Sequence, residues 1–270
     1  MNSIKPFITI ITVVFNGEKT IRKTIESVLN QKFINYEYII VDGLSNDNTI
    51  SVAKEYEKHF EGRLRIYSEK DNGIYNAMNK GIKLSKGDYI WLVNADDWIE
   101  PNALSIISQY HEKYSLKYDK LLQGGINIVD NKNNFLLYNR IPSENNHFEK
   151  SSSKLKMGIC HPSTIVPRQV YDKVGLYDER YYISADVDFA IRCYRAGVKL
   201  VNIQSILTNM SDGGISNQLP LSKNLHDWNL RFDKFCTNSF QKVYYLILNV
   251  SKLFLRKYLP KKIIKILLKQ

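Results

Sequence analysis

Asp88-Tyr-Ile-Trp-Leu-Val-Asn-Ala-Asp-Asp97 drives five apolar or aromatic residues straight into two adjacent carboxylates, Asp96 and Asp97. A continuous β-prone run of this kind reads as a strand buried on both faces. In open α/β sheets, ligands gather at the carboxyl ends of such strands. Two acids after a short Asn-Ala spacer suit a hard divalent cation that keeps several waters and takes its other ligands from phosphates. Asp97 can equally cap a helix that has Pro101 in its first turns. The segment alone leaves both readings open.

Outward from this strand, the first hundred residues alternate two patterns. Phe7 to Phe15 is strand-like, Glu18 to Gln31 has helical spacing through Ile21, Ile25, Val28 and Leu29, and Tyr36 to Val41 reads as a second strand. Thr49 to Phe60 reads as a helix, Arg63 to Ser68 as a third strand, and Tyr75 to Leu84 as a helix closed by Lys86-Gly87. Tyr89 to Val93 is then the fourth strand. Strands alternating with helices predict a parallel sheet with right-handed crossovers, so residues 1–100 read as a Rossmann-like nucleotide-binding half. Beyond Pro101 the pattern predicts a helix to Tyr114, a strand from Leu121 to Val129, and a hairpin return from Phe135 to Tyr138. A polar surface loop over 142–156, a helix from Val187 to Ala196 stopped by Gly197, and a strand from Val198 to Ile203 follow.

A chain of 270 residues can form one large α/β domain with an appendage. Its 44% hydrophobic and 24% charged content excludes wholesale disorder. The net charge of +11 is unevenly placed. Nine of the 38 Lys/Arg lie from Lys234 to Gln270, where there is no Asp or Glu, so 29 basic residues face 27 acidic ones over 1–233. A nearly neutral body argues against nucleic acid as a partner. Cys160, Cys193 and Cys236 are widely spaced and odd in number, which fits structural thiols in a reducing compartment. The first apolar run lacks a basic flank and a cleavage site, so it reads as a core strand and the expected location is cytosolic. No apolar stretch approaches the roughly 18–20 residues that span a bilayer.

Three further groups carry possible chemistry. Asp42 ends the second strand and opens Asp42-Gly-Leu-Ser-Asn-Asp-Asn-Thr49, where a carboxylate can meet a nucleobase or ribose; alternatively Asp42 and Asp47 make Asx turns or caps. Asp186, in Ser184-Ala-Asp-Val-Asp-Phe-Ala-Ile-Arg192, is either a helix cap or a base at the pocket edge with Arg192 as charge partner or acceptor contact. His161, beside Cys160 and Pro162, either touches substrate or is structural. There is no G-x-G-x-x-G or Walker sequence, so a diphosphate would be held chiefly by metal.

Taken in order, Val14-Phe-Asn16, Tyr38-Ile-Ile-Val-Asp-Gly43 with Ser45 and Asp47, Ser68-Glu-Lys-Asp-Asn-Gly-Ile-Tyr75 with Ala77-Met-Asn-Lys-Gly81, Asn94-Ala-Asp-Asp97 and Ala185-Asp-Val-Asp188 resemble the family 2 inverting glycosyltransferases. The resemblance spans residues 6 to 215 and is greatest to bacterial enzymes of O-antigen, lipopolysaccharide and exopolysaccharide assembly. It implies a GT-A fold: an α/β architecture whose nucleotide-binding half (1–100) and acceptor half (101–233) share a mixed sheet, followed here by C-terminal amphipathic helices (234–270). It places Phe15 and Asn16 in the nucleotide pocket, Asp42 and Asp71 on the uridine, and Asn94 and Ala95 beside the diphosphate. Asp96, alone or with Asp97, becomes the ligand of Mn2+ or Mg2+. Asp186 becomes the catalytic base, with His161, Asp188 and Arg192 toward the acceptor.

The chain departs from that family twice. Asn94 stands where an acid is often found, and Ala185 stands where Glu commonly precedes the base. The implied reaction is a single in-line displacement at the anomeric carbon of a UDP-sugar. Asp186 takes the acceptor hydroxyl's proton on the face opposite the leaving UDP, whose charge the metal neutralises. The implied product is a β-linked hexose on a lipid-linked saccharide.

The tail supports a membrane partner. At about 100° per residue, the lysines of Lys261-Lys-Ile-Ile-Lys-Ile-Leu-Leu-Lys-Gln270 share one arc and the apolar residues fill the rest; Val243 to Leu259 is similar. Such a tail can lie on the anionic inner face of the cytoplasmic membrane, or dock on the body with its lysines solvated. Two other functions compete. A sugar-nucleotide pyrophosphorylase would need a glycine- and basic-rich loop where the chain has Asn16-Gly-Glu-Lys19. A non-catalytic, membrane-bound nucleotide-binding module would bind UDP without turnover.

Overall fold

The computed structural model describes residues 5–130, 135–143, 159–212 and 220–258, with side chains described to Ser251 in the last helix. Two compact units result, residues 1–218 and 219–270. The first begins with β1 (Ile8–Val14), α1 (Ile21–Leu29), β2 (Tyr36–Asp42), α2 (Thr49–Glu55), β3 (Leu64–Ser68), α3 (Ile74–Leu84) and β4 (Tyr89–Leu92). β1, β2 and β4 are β-branched and aromatic runs buried on both faces, β1 and β2 along all seven residues each, whereas β3 at the edge is only partly buried. β1 pairs in parallel with β2 and β4, and β2 with β3, so the order β3-β2-β1-β4 is the predicted crossover sheet.

Alternation sorts the two faces. Ile8, Ile10, Tyr38, Ile40 and Trp91 join Ile21, Ile25 and Val28 of α1 in one cluster. On the other face α3 lies against β1 and β2, where Gly81 allows the approach: a Cβ there would sit 2.5 Å from Ile11 Cγ2 and 3.3 Å from Val41 Cγ2. The predicted helix Thr49–Phe60 is instead α2 followed by a separate 3-10 turn, Glu57–Phe60, closed by Glu61 in the left-handed region.

The second half makes the sheet mixed. Its elements are β5 (Trp98–Ile99), α4 (Ala103–Lys113), β6 (Lys120–Val129), β7 (Leu136–Arg140), a 3-10 turn (His161–Ser163), β8 (Thr164–Pro167), α5 (Arg168–Val174), α6 (Ala185–Arg195) and β9 (Lys199–Ser211). β8 runs antiparallel to both β4 and β6, β9 runs parallel to β6, and β5 runs antiparallel to β9. The full order is β3-β2-β1-β4-β8-β6-β9-β5, with β7 on β6. β9 is far longer than the expected Val198–Ile203, because Thr208 and Asn209 continue into pairs with β5 and β6. The expected loop over 142–156 lies almost wholly outside the described residues.

The second unit contains α7 (Leu221–Phe235) and α8 (Ser239–Tyr258), joined through stacked Phe232 and Tyr245 rings 5.8 Å apart. α7 continues across residue 233, where the sequence reading ended the transferase domain. The amphipathic stretch read at 261–270 lies outside the described residues. No helix among the described residues is long and apolar enough to cross a membrane.

Candidate active site

The loops after β1 and β2 are zipped together by side chains caught on backbone. Asn16 N donates to Ser45 Oγ at 2.7 Å, and Asn46 N donates back to Asn16 Oδ1 at 3.0 Å. Gly17 N donates to Thr49 Oγ1, and Glu18 N to Asp47 Oδ2. Asp47 also accepts from Thr49 N at 3.0 Å, so the turn-forming reading of this acid holds. Asn16 and Leu44 both adopt positive φ, 52° and 62°, a conformation Asn tolerates and Leu rarely takes.

Beside this zipper lie Phe15, Gly43 and Asp71. Phe15 is 63% exposed. A Cβ on Gly43 would overlap the Asp71 carboxylate and come within 3.5 Å of the Phe15 ring, so Gly43 is the floor between an aromatic face and an acid. Asp71 Oδ1 accepts from Gly73 N at 2.9 Å. Asp42 is different. It is fully buried, and its two oxygens accept from Ser45 N, Ser45 Oγ and Ser68 Oγ (2.6 Å), so it ties the β2 loop to the end of β3.

At the end of β4 the two acids have unequal roles. Asp97 is 2% exposed; its Oδ1 accepts from Ser211 N at 3.1 Å and its Oδ2 from Asn94 Nδ2 at 3.2 Å. Its carbonyl accepts from Thr24 Oγ1, and Ser211 Oγ donates to the Asp96 carbonyl at 2.6 Å. The turn is thus stapled to α1 and to the last residue of β9. No other residue among those described donates a hydrogen bond to the Asp96 carboxylate, which is half-buried. Burial raises the pKa of both acids, and the charge of Asp96 raises Asp97 further. A half-buried carboxylate that is short of donors fits a cation. Among the described residues no group of three or more His, Cys, Asp or Glu could hold a metal by itself. A metal at Asp96 would therefore take most of its ligands from water and phosphate.

The third wall comes from the second half. The His161–Ser163 turn is hung from the sheet by Pro162, whose carbonyl accepts from Trp91 Nε1 at 3.0 Å and Thr208 Oγ1 at 2.9 Å. His161 Nε2 lies 3.1 Å from Tyr177 Oη. Burial lowers His161 to about 4, so the ring is neutral at pH 7. Asp186 sits in the first turn of α6, whose N-cap is Ser184 and not Asp186; its Oδ1 accepts from Val187 N at 2.8 Å. Tyr177 is pushed well above its ordinary pKa by burial, then by Tyr171, with the Asp186 charge contributing.

Asp188 and Arg192 are spent inside the fold. Asp188 is fully buried and accepts from Arg192 Nε at 2.7 Å and from Tyr181 Oη. Arg192 donates its terminal nitrogens to the carbonyls of Val174, Gly175 (3.1 Å) and Leu176 (2.7 Å), staking α6 to the C-terminus of α5. The two residues expected to face the acceptor thus anchor α6. Sequence reasoning missed the strap that ties the 177–179 segment to α3. Asn79 on α3 accepts from Tyr177 N at 3.0 Å and donates to Tyr177 O and to Glu179, which also binds Asn76. Asn79 lies in the motif Ala77-Met-Asn-Lys-Gly81, which carried the family resemblance without a role for this residue.

Comparison with known proteins points one way. The sequence model described as Glycosyl transferase family 2 matches residues 9–175, more than half of the chain. A PGL/p-HBAD biosynthesis glycosyltransferase of Mycobacterium bovis is 26% identical over 220 residues, 79% of this chain and 80% of that protein. An uncharacterized glycosyltransferase of Rickettsia typhi is 31% identical over 199 residues, 72% of this chain and 60% of that protein. Among solved structures, S. aureus TarS 1–349 in complex with UDP-GlcNAc superposes with a TM-score of 0.66 at 14% identity, covering 88% of this chain and 68% of that one. The chain spans only 41% of the longer TarS crystal structure. The mannosyltransferase PcManGT from Pyrobaculum calidifontis, with GDP-Man and Mn2+, superposes with a TM-score of 0.56 at 15% identity, covering 77% of this chain and 57% of that one.

Proposed function

The chain belongs to glycosyl transferase family 2 and has the GT-A fold, and from that premise we propose that it transfers a hexose from a UDP-sugar to a lipid-linked saccharide with inversion of configuration. The hexose is glucose, galactose or an N-acetyl form. The acceptor is a sugar on undecaprenyl diphosphate, and the product is a β-linked repeat of O-antigen or another surface polysaccharide made at the inner face of the cytoplasmic membrane. Residues 1–233 carry the transfer and 234–270 the membrane contact. The pyrophosphorylase reading falls with the family assignment.

One observation carries the proposal: Asp96 presents an uncommitted carboxylate at the end of β4 while Asp97 beside it is locked to Ser211 and Asn94. The uracil stacks on Phe15 and hydrogen-bonds Asp71, whereas Asp42 acts through Ser45 and Ser68 by holding both loops. Asn16 and Ala95 line the path to the diphosphate. Asp96 would hold Mn2+ or Mg2+, which supplies charge neutralisation for the leaving diphosphate when bound. Asp186 accepts the proton of the attacking hydroxyl. His161 and Tyr177 limit where the acceptor can stand.

A donor screen tests this. UDP-glucose, UDP-galactose and their N-acetyl forms are offered with lipid-diphosphate GlcNAc or GalNAc, and product linkage is read by NMR. An α-linked product defeats the inverting mechanism. Asp186→Asn should lower kcat about 100- to 10,000-fold with donor affinity kept; full activity in that variant removes Asp186 from the base role.

A further inference from the structure

α8 shows an apolar face that is exposed along its described side chains, Ser239 to Ser251. Phe240 is 81% exposed, Val243 54%, Tyr244 53%, Ile247 62% and Val250 42%. At about 100° per residue these five fall within a single arc of about 120°. Tyr245 and Lys242 lie on the opposite side, where Tyr245 stacks on Phe232 of α7 and Lys242 pairs with Asp233. A contiguous exposed stripe of this size marks an interaction surface. Its charge setting identifies the partner: from Lys234 onward there are nine Lys/Arg and no acid. A second copy pairing along this stripe would bring two strongly basic tails together. An anionic surface neutralises them, and Phe and Tyr side chains suit the headgroup boundary.

We propose that the Phe240–Val250 stripe of α8 is the surface by which the protein lies on an anionic lipid bilayer, apolar side down and parallel to the membrane plane. The proposal deepens the reading of a lipid-linked acceptor and specifies the residues that make contact. Its test measures binding apart from transfer. The full chain and a Phe240→Ser/Ile247→Ser variant are floated with vesicles of phosphatidylcholine alone or mixed with phosphatidylglycerol. Sedimentation velocity reports the oligomeric state, and a thermal melt confirms that the variant folds.

The expected result is flotation only with the anionic vesicles, weakened by added salt and at least about tenfold weaker in the variant. Equal flotation of wild type and variant overturns the proposal. So does a dimer that the variant dissolves while vesicles go unbound, because the stripe would then be an interface between copies. Vesicle binding with no transfer to any lipid-linked acceptor leaves the surface standing and removes the acceptor reading.

Discussion

Replacing Asn79 with alanine tests whether the active-site wall depends on α3. Asn79 is 3% exposed; its Nδ2 donates to Tyr177 O at 2.9 Å and Glu179 Oε1 at 2.8 Å, and its Oδ1 accepts from Tyr177 N at 3.0 Å. The truncation deletes all three bonds and strands both backbone groups of a buried residue. Each buried group left without a partner costs about 1–3 kcal/mol, and the lost bond to charged Glu179 adds to that. Relaxation of the 175–184 loop recovers some, so the expected loss is about 3 kcal/mol by urea denaturation. Kinetics should fall unevenly. The loop leads into Asp186, so on the proposed function kcat drops more than UDP affinity, which that proposal assigns to the Phe15–Asp71 side. Asn79→Asp should do no better than alanine, because it sets a carboxylate against Glu179. A loss under about 1 kcal/mol in Asn79→Ala, with kcat unchanged, refutes the reasoning.

Gly43→Ala should displace the Asp71 carboxylate and weaken UDP binding about tenfold, the worth of one hydrogen bond, while the melting temperature barely moves; calorimetric titration with UDP checks it. Asp96→Asn should abolish the dependence of activity on Mn2+ concentration, whereas Asn94→Asp should tighten Mn2+ binding measured directly. His161 has a folded-state pKa lowered to about 4 by burial against an ordinary 6.5, so the unfolded chain takes up a proton in that window and the folded chain does not. Stability should therefore be lost as pH falls from about 6.5 to about 4, by on the order of 3 kcal/mol. His161→Gln should flatten that part of the pH–stability curve, and an unchanged curve would count against the buried neutral ring.

The parallel half was legible because each of its strands is a self-contained β-branched run between turn signals, as in Ile8–Val14 and Tyr36–Asp42. The antiparallel half was less so. Thr164–Pro167 is four residues long and ends in proline, and it becomes a strand only because β4 and β6 flank it. Trp98–Ile99 is too short for any pattern. Site residues divide in the same way. Asp96 and Asp71 stand on local motifs, whereas Ser211, Tyr177 and Glu179 reach the site through contacts whose chemistry leaves no trace at their own positions. Asp188 and Arg192 sat in the right motif, but their i, i+4 pairing turns them into the fold.

The bond from Ser211 N to the Asp97 carboxylate closes a separation of 114 residues. A ribosome makes β1 through β4 long before β9 is complete. The acid corner is finished only when residue 211 pairs back. A nascent chain halted before that point has the β1 and β2 loops but lacks the bonds from Ser211 that fix the Asp96–Asp97 turn. Competence for transfer is thereby tied to the completion of synthesis of the whole catalytic unit.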